Sequence, residues 1–161
     1  GYDELQEGLA VLAEHLVGGL SRPRLRLLAG RVLAADARIR GADFLENYRL
    51  LHETHGFAAR TAFMTVMRVH RGGGFTKDAI YLRGFLALLD YLRDDGDLDP
   101  LLVGKLAAPQ VPVILELQRR RVLRPAPLRP RFLDDPASME RMKRLRAGES
   151  VLPAAPEGEL R

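Results

Sequence analysis

Asp3-Glu4-Leu5-Gln6-Glu7-Gly8-Leu9-Ala10-Val11-Leu12-Ala13-Glu14-His15-Leu16-Val17 decides the fold class. Leu5, Leu9, Leu12 and Leu16 recur at helical spacing and form one stripe, the pattern of a helix that buries one side. Asp3 is placed to cap this helix with Gln6 as its reciprocal partner, and Gly18-Gly19 supply the stop, so it is expected over roughly 4–17. At about 100° per residue, Glu7, Val11 and Glu14 fall on a different face from the leucines. Glu7 is therefore free to point away from the leucine seam. It is either a first-turn acid that complements the helix dipole or a metal ligand presented to another segment.

The same reading extends down the chain. Ser21 and Pro23 open a second helix with Leu25, Leu28, Ala29, Val32 and Leu33 on its buried face, ending near Gly41. Asp43 caps a third, carrying Phe44, Leu45, Tyr48 and Leu51 before Gly56. A fourth, over 57–70, is apolar nearly all round through Phe63, Met64, Val66, Met67 and Val69, and is expected to be the central, most buried one. The glycines at 72–74 end it, and Thr76 caps a fifth with Leu82, Phe85, Leu86, Leu89 and Tyr91, broken at Asp95-Gly96. Shorter helices are expected over 100–107 and 111–121, then an extended strap over 122–136 with Pro125, Pro127, Pro130 and Pro136, and a basic helix over 137–146. The expected architecture is all-α: an irregular multi-helix bundle in one domain over 1–150, with a Pro-rich extended strap and a flexible tail over 151–161.

Composition narrows the function classes. The chain has 161 residues, 47% of them hydrophobic and 29% charged, enough for one buried core and too apolar for wholesale disorder. It has no cysteine, which excludes disulfides and thiolate metal sites and makes a cytoplasmic location the default. No apolar run approaches the ~20 residues that span a bilayer, so no membrane association is expected. The net charge of +4 is local: residues 119–146 hold ten Lys/Arg against three acidic residues, whereas 1–118 hold fourteen basic and fifteen acidic groups. Aromatics are scarce in that basic region, so a solvated arginine-rich face is the commoner explanation and nucleic acid is not the expected partner.

Three local patterns bear on chemistry. The Arg71 to Asp78 loop, with Gly73, Lys77 and backbone amides at a helix start, would suit a carboxylate or phosphate; the competing reading is a plain helix-turn-helix corner. It does not match the phosphate-binding GxxxxGK[ST] pattern. His52 and His55 stand three apart rather than four, the wrong spacing for a zinc-binding HExxH helix. Asp95, Asp97 and Asp99 begin like a calcium loop, but Pro100 and Leu106 occupy the positions of its glycine and its bidentate glutamate.

Gln6-Glu7-Gly8-Leu9-Ala10, followed by Leu28-Ala29-Gly30-Arg31-Val32-Leu33-Ala34 and by Arg71-Gly72-Gly73-Gly74-Phe75-Thr76-Lys77-Asp78-Ala79-Ile80-Tyr81-Leu82-Arg83-Gly84, resembles the bacterial flavohaemoglobin expression-modulating QEGLA-motif proteins. That family is similar to the microtubule-associated tyrosine carboxypeptidases of animals. The resemblance runs through Val103-Gly104-Lys105 and the Leu-Arg-Pro strap, so it covers nearly the whole chain. It implies a gluzincin-like zinc carboxypeptidase in which an HExxxH helix gives two histidine ligands and the general base, and Glu7 is the third zinc ligand. The substrate would be the C-terminus of a peptide or protein. The chemistry of the glycine loop, rather than the resemblance, makes Arg71, Gly73, Lys77 and Tyr81 the expected substrate-binding residues.

This sequence departs from the family's pattern because it contains no HExxxH, which in the family precedes QEGLA. The chain is therefore expected to be the C-terminal part of a larger metallopeptidase-like domain, with no catalytic residue of its own, holding no zinc and inactive alone. An apolar groove is expected where the missing HExxxH segment would pack, and through it a homodimer. The alternative class is a non-catalytic helical interaction or regulatory module.

Overall fold

The computed structural model describes residues 1–71 and 75–151. Among these the chain forms seven α-helices and no strand: α1 (Tyr2–Leu16), α2 (Arg22–Ile39), α3 (Phe44–Arg49), α4 (Ala59–His70), α5 (Phe75–Arg93), α6 (Val111–Arg119) and α7 (Pro136–Arg146). The protein is all-α, as the periodicity predicts. Gly72, Gly73, Gly74, the Thr76 cap and the tail over 152–161 lie outside the described residues and side chains.

Most helix ends follow from local chemistry. Gly18 takes a left-handed φ of +79° just past α1, and the Gly18 and Gly19 amides return to the carbonyls of His15 and Glu14. The Ser21 hydroxyl accepts from the Arg24 amide, and Asp43 and Glu46 close a reciprocal capping box on α3. α3 continues into a π turn over Leu50–Thr54, which Gly56 ends at a φ of +63°.

Five expectations are corrected. α1 begins at Tyr2 with no side-chain cap, which leaves Asp3 in the first turn and lets Gln6 reach the Gly104 carbonyl at 3.5 Å. The segment after Pro100 makes only a 3-10 turn over Asp99–Leu102, because so short a stretch containing Gly104 cannot sustain a helical nucleus. The strap contains a 3-10 turn over Arg131–Asp134, whose Phe132 and Leu133 pack on the main core, and Arg129 ties it to Asp99 at 3.1 Å. Val11, read from the wheel as lying off the buried face, is 1% exposed, so α1 buries a broader arc than its leucine stripe.

The fifth correction and its cause concern the centre of the molecule. α5, not α4, is the central helix: it buries Phe85, Leu88, Leu89 and Leu92, while Phe63 and Met64 of α4 are 47% and 50% exposed. An apolar helix surface does not say which side finds a partner. The deciding feature is a pair of glycines. A Cβ on Gly8 would lie 2.4 Å from the Gly84 carbonyl carbon, and one on Gly84 would lie 2.0 Å from the Glu4 carbonyl oxygen. α1 and α5 therefore meet backbone to backbone, which only glycine permits.

Two apolar clusters result. The larger gathers α1, α5, Leu20, Leu28, Leu101 and Leu145; the smaller joins α2 to α4 through Ala34, Leu51, Phe57, Ala62, Val66 and Val69. α7 docks on the larger with polar contacts, since the Ser138 hydroxyl and the Arg141 guanidinium both donate to the Leu16 carbonyl at 2.8 Å. Arg146 donates to the Gly96 carbonyl at 2.8 Å, beyond the end of α5. Both arginines thus satisfy carbonyls at or beyond helix C-termini, where cations are favoured. Among the described residues no helix is long and apolar enough to cross a membrane.

Candidate functional site

The glycine contact between α1 and α5 fixes what stands beside it. Glu7 immediately precedes Gly8, and Tyr81 and Lys77 lie three and seven residues before Gly84, on successive turns of α5. The Lys77 ammonium meets the Glu7 carboxylate at 2.7 Å, and the Tyr81 hydroxyl also hydrogen-bonds Glu7. Three of the predicted site residues are thereby brought together. Glu7 is off the leucine seam, as its helical position requires.

α1 and α2 both pack on α5. Arg24 of α2 grips Glu14 of α1 with two hydrogen bonds of 2.8 and 2.9 Å. Seven residues along each helix, two turns or about 10 Å away, come Arg31 and Glu7. Arg68 of α4 makes an ion pair of 2.6 Å with Asp78, whose side chain is only 1% exposed. Among the described residues these charges form three ion pairs, Glu7–Lys77, Glu14–Arg24 and Asp78–Arg68, and the half-buried Arg31 is in none of them.

The electrostatics follow from that arrangement. The Arg24 hydrogen bonds hold the Glu14 carboxyl below its usual value against a smaller opposing effect of burial. Burial, then the Glu7 carboxylate, raises the Tyr81 phenol, and the hydrogen bond to Glu7 raises the Lys77 ammonium. Burial, with Arg68 and Arg24 nearby, weakens the Arg31 guanidinium's hold on its proton.

Arg71 caps α4 as an exposed residue whose amide returns to the Met67 carbonyl, and Gly73 lies outside the described residues. The His52 ring is committed to the Phe57 carbonyl at 2.7 Å, and Asp97 and Asp99 serve the turn around them. A residue the sequence reading missed is Arg31. The available signal was the seven-residue spacing of Glu7 and Glu14 on α1, matched by Arg24 and Arg31 on α2.

As a metal site the described residues are incomplete. Glu7 is a suitable hard oxygen donor, but no group of three His, Asp or Glu side chains that could hold an ion exists among them. They do not by themselves fit a zinc ion, and no reaction step through zinc is derived from them.

A mainly apolar groove of about 410 Å³ runs along another face of α1, between Leu9, Ala13, Leu101, Leu102 and Phe132.

Fold and charges define an all-α protein in which ion pairs drawn from four helices stand near a glycine-mediated crossing. The chain belongs to the microtubule-associated tyrosine carboxypeptidase family, whose sequence profile matches residues 1–150, and is carboxypeptidase-like in that sense. No curated protein and no solved structure matches it.

Proposed function

We propose that this chain forms the substrate-binding wall of a zinc metallocarboxypeptidase that removes a C-terminal residue from peptides or proteins. The family's description names tyrosine as the residue removed, which makes a C-terminal tyrosine the first substrate to test. The supporting observation is the position of Glu7, held by Lys77 and Tyr81 beside the α1–α5 crossing, in a chain matched by the family over residues 1–150. In this reading Glu7 is one zinc ligand, and two histidines come from residues beyond these 161.

Tyr81 and Lys77 then border the metal carboxylate and face the peptide, with Arg71 and Gly73 on the adjoining loop. Engagement of Glu7 elsewhere would release the Lys77 ammonium as a further cation for the substrate. When bound, zinc would supply Lewis acidity and an activated water. This chain's residues bind and orient the peptide end.

The test is metal content and C-terminal trimming in a protein that joins this chain to an HExxxH helix. One zinc per molecule with trimming, both lost in Glu7→Ala, is the expected result. No zinc in that protein would overturn the reading. It would leave a non-catalytic helical module as the alternative.

A further inference from the structure

We propose that Asn47 and His70 form an acid-sensitive latch on the smaller apolar cluster: a proton on the His70 ring breaks their hydrogen bond and releases the end of α4 from α2 and α3. The latch holds or fails independently of the catalytic reading.

Its geometry begins with an amide that has one workable orientation. Asn47 is fully buried, and its Nδ2 donates to the Ala34 carbonyl at 2.8 Å. A carbonyl oxygen only accepts, so the amide cannot turn its own oxygen that way. The same Nδ2 lies 3.3 Å from His70 Nε2. An amide nitrogen offers a second hydrogen and no acceptor, so Nε2 must accept, and the ring is neutral with its proton on Nδ1. The contact thus links three helices, α2 through Ala34, α3 through Asn47 and α4 through His70.

Protonation turns this contact into two donors facing each other. The Asn47 side-chain oxygen, which could accept from a charged ring, has no partner among the described residues and would meet the ring only by giving up the Ala34 carbonyl. Either outcome leaves a buried polar group unpaired. The charged groups that act on the ring are Arg38 of α2, which opposes a proton, and Asp43 at the N-cap of α3, which favours one. Burial, then Arg38, prevails and holds the imidazole below its ordinary value. The closed state therefore binds fewer protons than an opened one, and its advantage is complete above 6.5 and lost as pH falls through the lower native value. The His52 ring differs: its Nδ1 donates to the Phe57 carbonyl at 2.7 Å, a bond that protonation preserves. His70 is the last residue of α4 and adjoins Arg71, so acid loosens the end of α4 that leads to the proposed substrate-binding loop.

The test is amide hydrogen exchange of this chain above and below 6.5, corrected for the chemical pH dependence of exchange, with the His70 ring followed by nitrogen NMR. Protection across α3 and α4 is expected to fall by roughly 5- to 30-fold as His70 titrates, the factor for one buried hydrogen bond, with α5 unchanged. Linkage requires that factor to equal the ratio by which closure weakens the ring's hold on its proton, so the two measurements check each other. His70→Gln keeps an uncharged acceptor and should hold α4 at both pH values. Arg38→Gln should raise the ring's midpoint and carry the loss of protection with it. Circular dichroism checks that each variant folds.

Constant protection while His70 titrates, a neutral ring with its proton on Nε2, or a loss that persists in His70→Gln would each overturn the latch. So would a loss that ignores the ring's midpoint in Arg38→Gln, or one that α5 shares equally.

Discussion

The carboxylate of Glu7 receives hydrogen bonds from two side chains of α5, and both should report its removal. In Glu7→Gln the Tyr81 phenol should titrate lower than in the wild type but stay above an ordinary tyrosine, because burial, the larger cause of its rise, remains. Carbon NMR of the Tyr81 ring across the alkaline range measures this; an unmoved Tyr81 would mean that Glu7 does not reach the phenol in solution. Glu14 allows a test with the sign fixed in advance. Its carboxyl is held down chiefly by the Arg24 hydrogen bonds, so the native state binds fewer protons than the unfolded chain. The bridge's contribution is therefore complete above the ordinary value of 4.5 and is lost as pH falls through the lower native value. Both side chains are about one-third exposed, so the difference between wild type and Glu14→Gln near neutrality should be no more than about 1 kcal/mol, closing in thermal melts as pH falls below 4.5. A difference that persists unchanged in acid would assign Glu14 a packing role instead.

At the scale of elements, the crossing of α1 and α5 carries the clearest stability prediction. Replacing glycine with alanine inside an exposed helix ordinarily stabilises it by about 1 kcal/mol. At Gly84 the added Cβ would stand 2.0 Å from the Glu4 carbonyl oxygen, so Gly84→Ala should instead destabilise by about 1–3 kcal/mol, the usual cost of overpacking. Urea unfolding measures the sign, and the Lys77–Glu7 contact should loosen with it, because the same crossing sets both. The docking of α7 is a second case: Ser138→Ala should cost about 1 kcal/mol, since it removes a buried donor to the Leu16 carbonyl at 2.8 Å. A double-mutant cycle with Arg141→Ala should show coupling, both groups sharing that carbonyl. Much of this scale was readable in the sequence. Gly18, Ser21 and Asp43 announced helix ends because each acts through its own neighbours. The choice of α5 over α4 as central was not readable, because it depends on two glycines 76 residues apart meeting in space. Arg31 escaped notice for the same reason: on one helix it is an ordinary cation, and only the folded chain brings Arg68, Asp78 and Tyr81 of other helices near it. Glu7, Lys77 and Tyr81 were legible because the motifs that hold them are contiguous.

For the molecule as a whole, the uneven division of the core predicts how it opens. The larger cluster contains fifteen buried apolar residues and the smaller six, two of them alanines. Apolar burial stabilises by about 25 cal/mol per Å², so the α2–α4 side has much less to lose on opening. It also contains Asn47, fully buried and donating to the Ala34 carbonyl at 2.8 Å while its own side-chain oxygen has no partner, a further local cost. The two sides are joined by α2, which contributes Leu28 to one cluster and Ala34 to the other, and by the Arg68–Asp78 pair across α4 and α5. Amide hydrogen exchange should therefore find α5 and the central turns of α1 opening only with global unfolding, and α3 and α4 opening at lower free energy as a unit. The ion pairs lie along this seam, with Arg68 on the weaker side and Glu7, Lys77 and Tyr81 on the stronger. Equal protection of α4 and α5 in the free protein would show instead that the two clusters unfold as one.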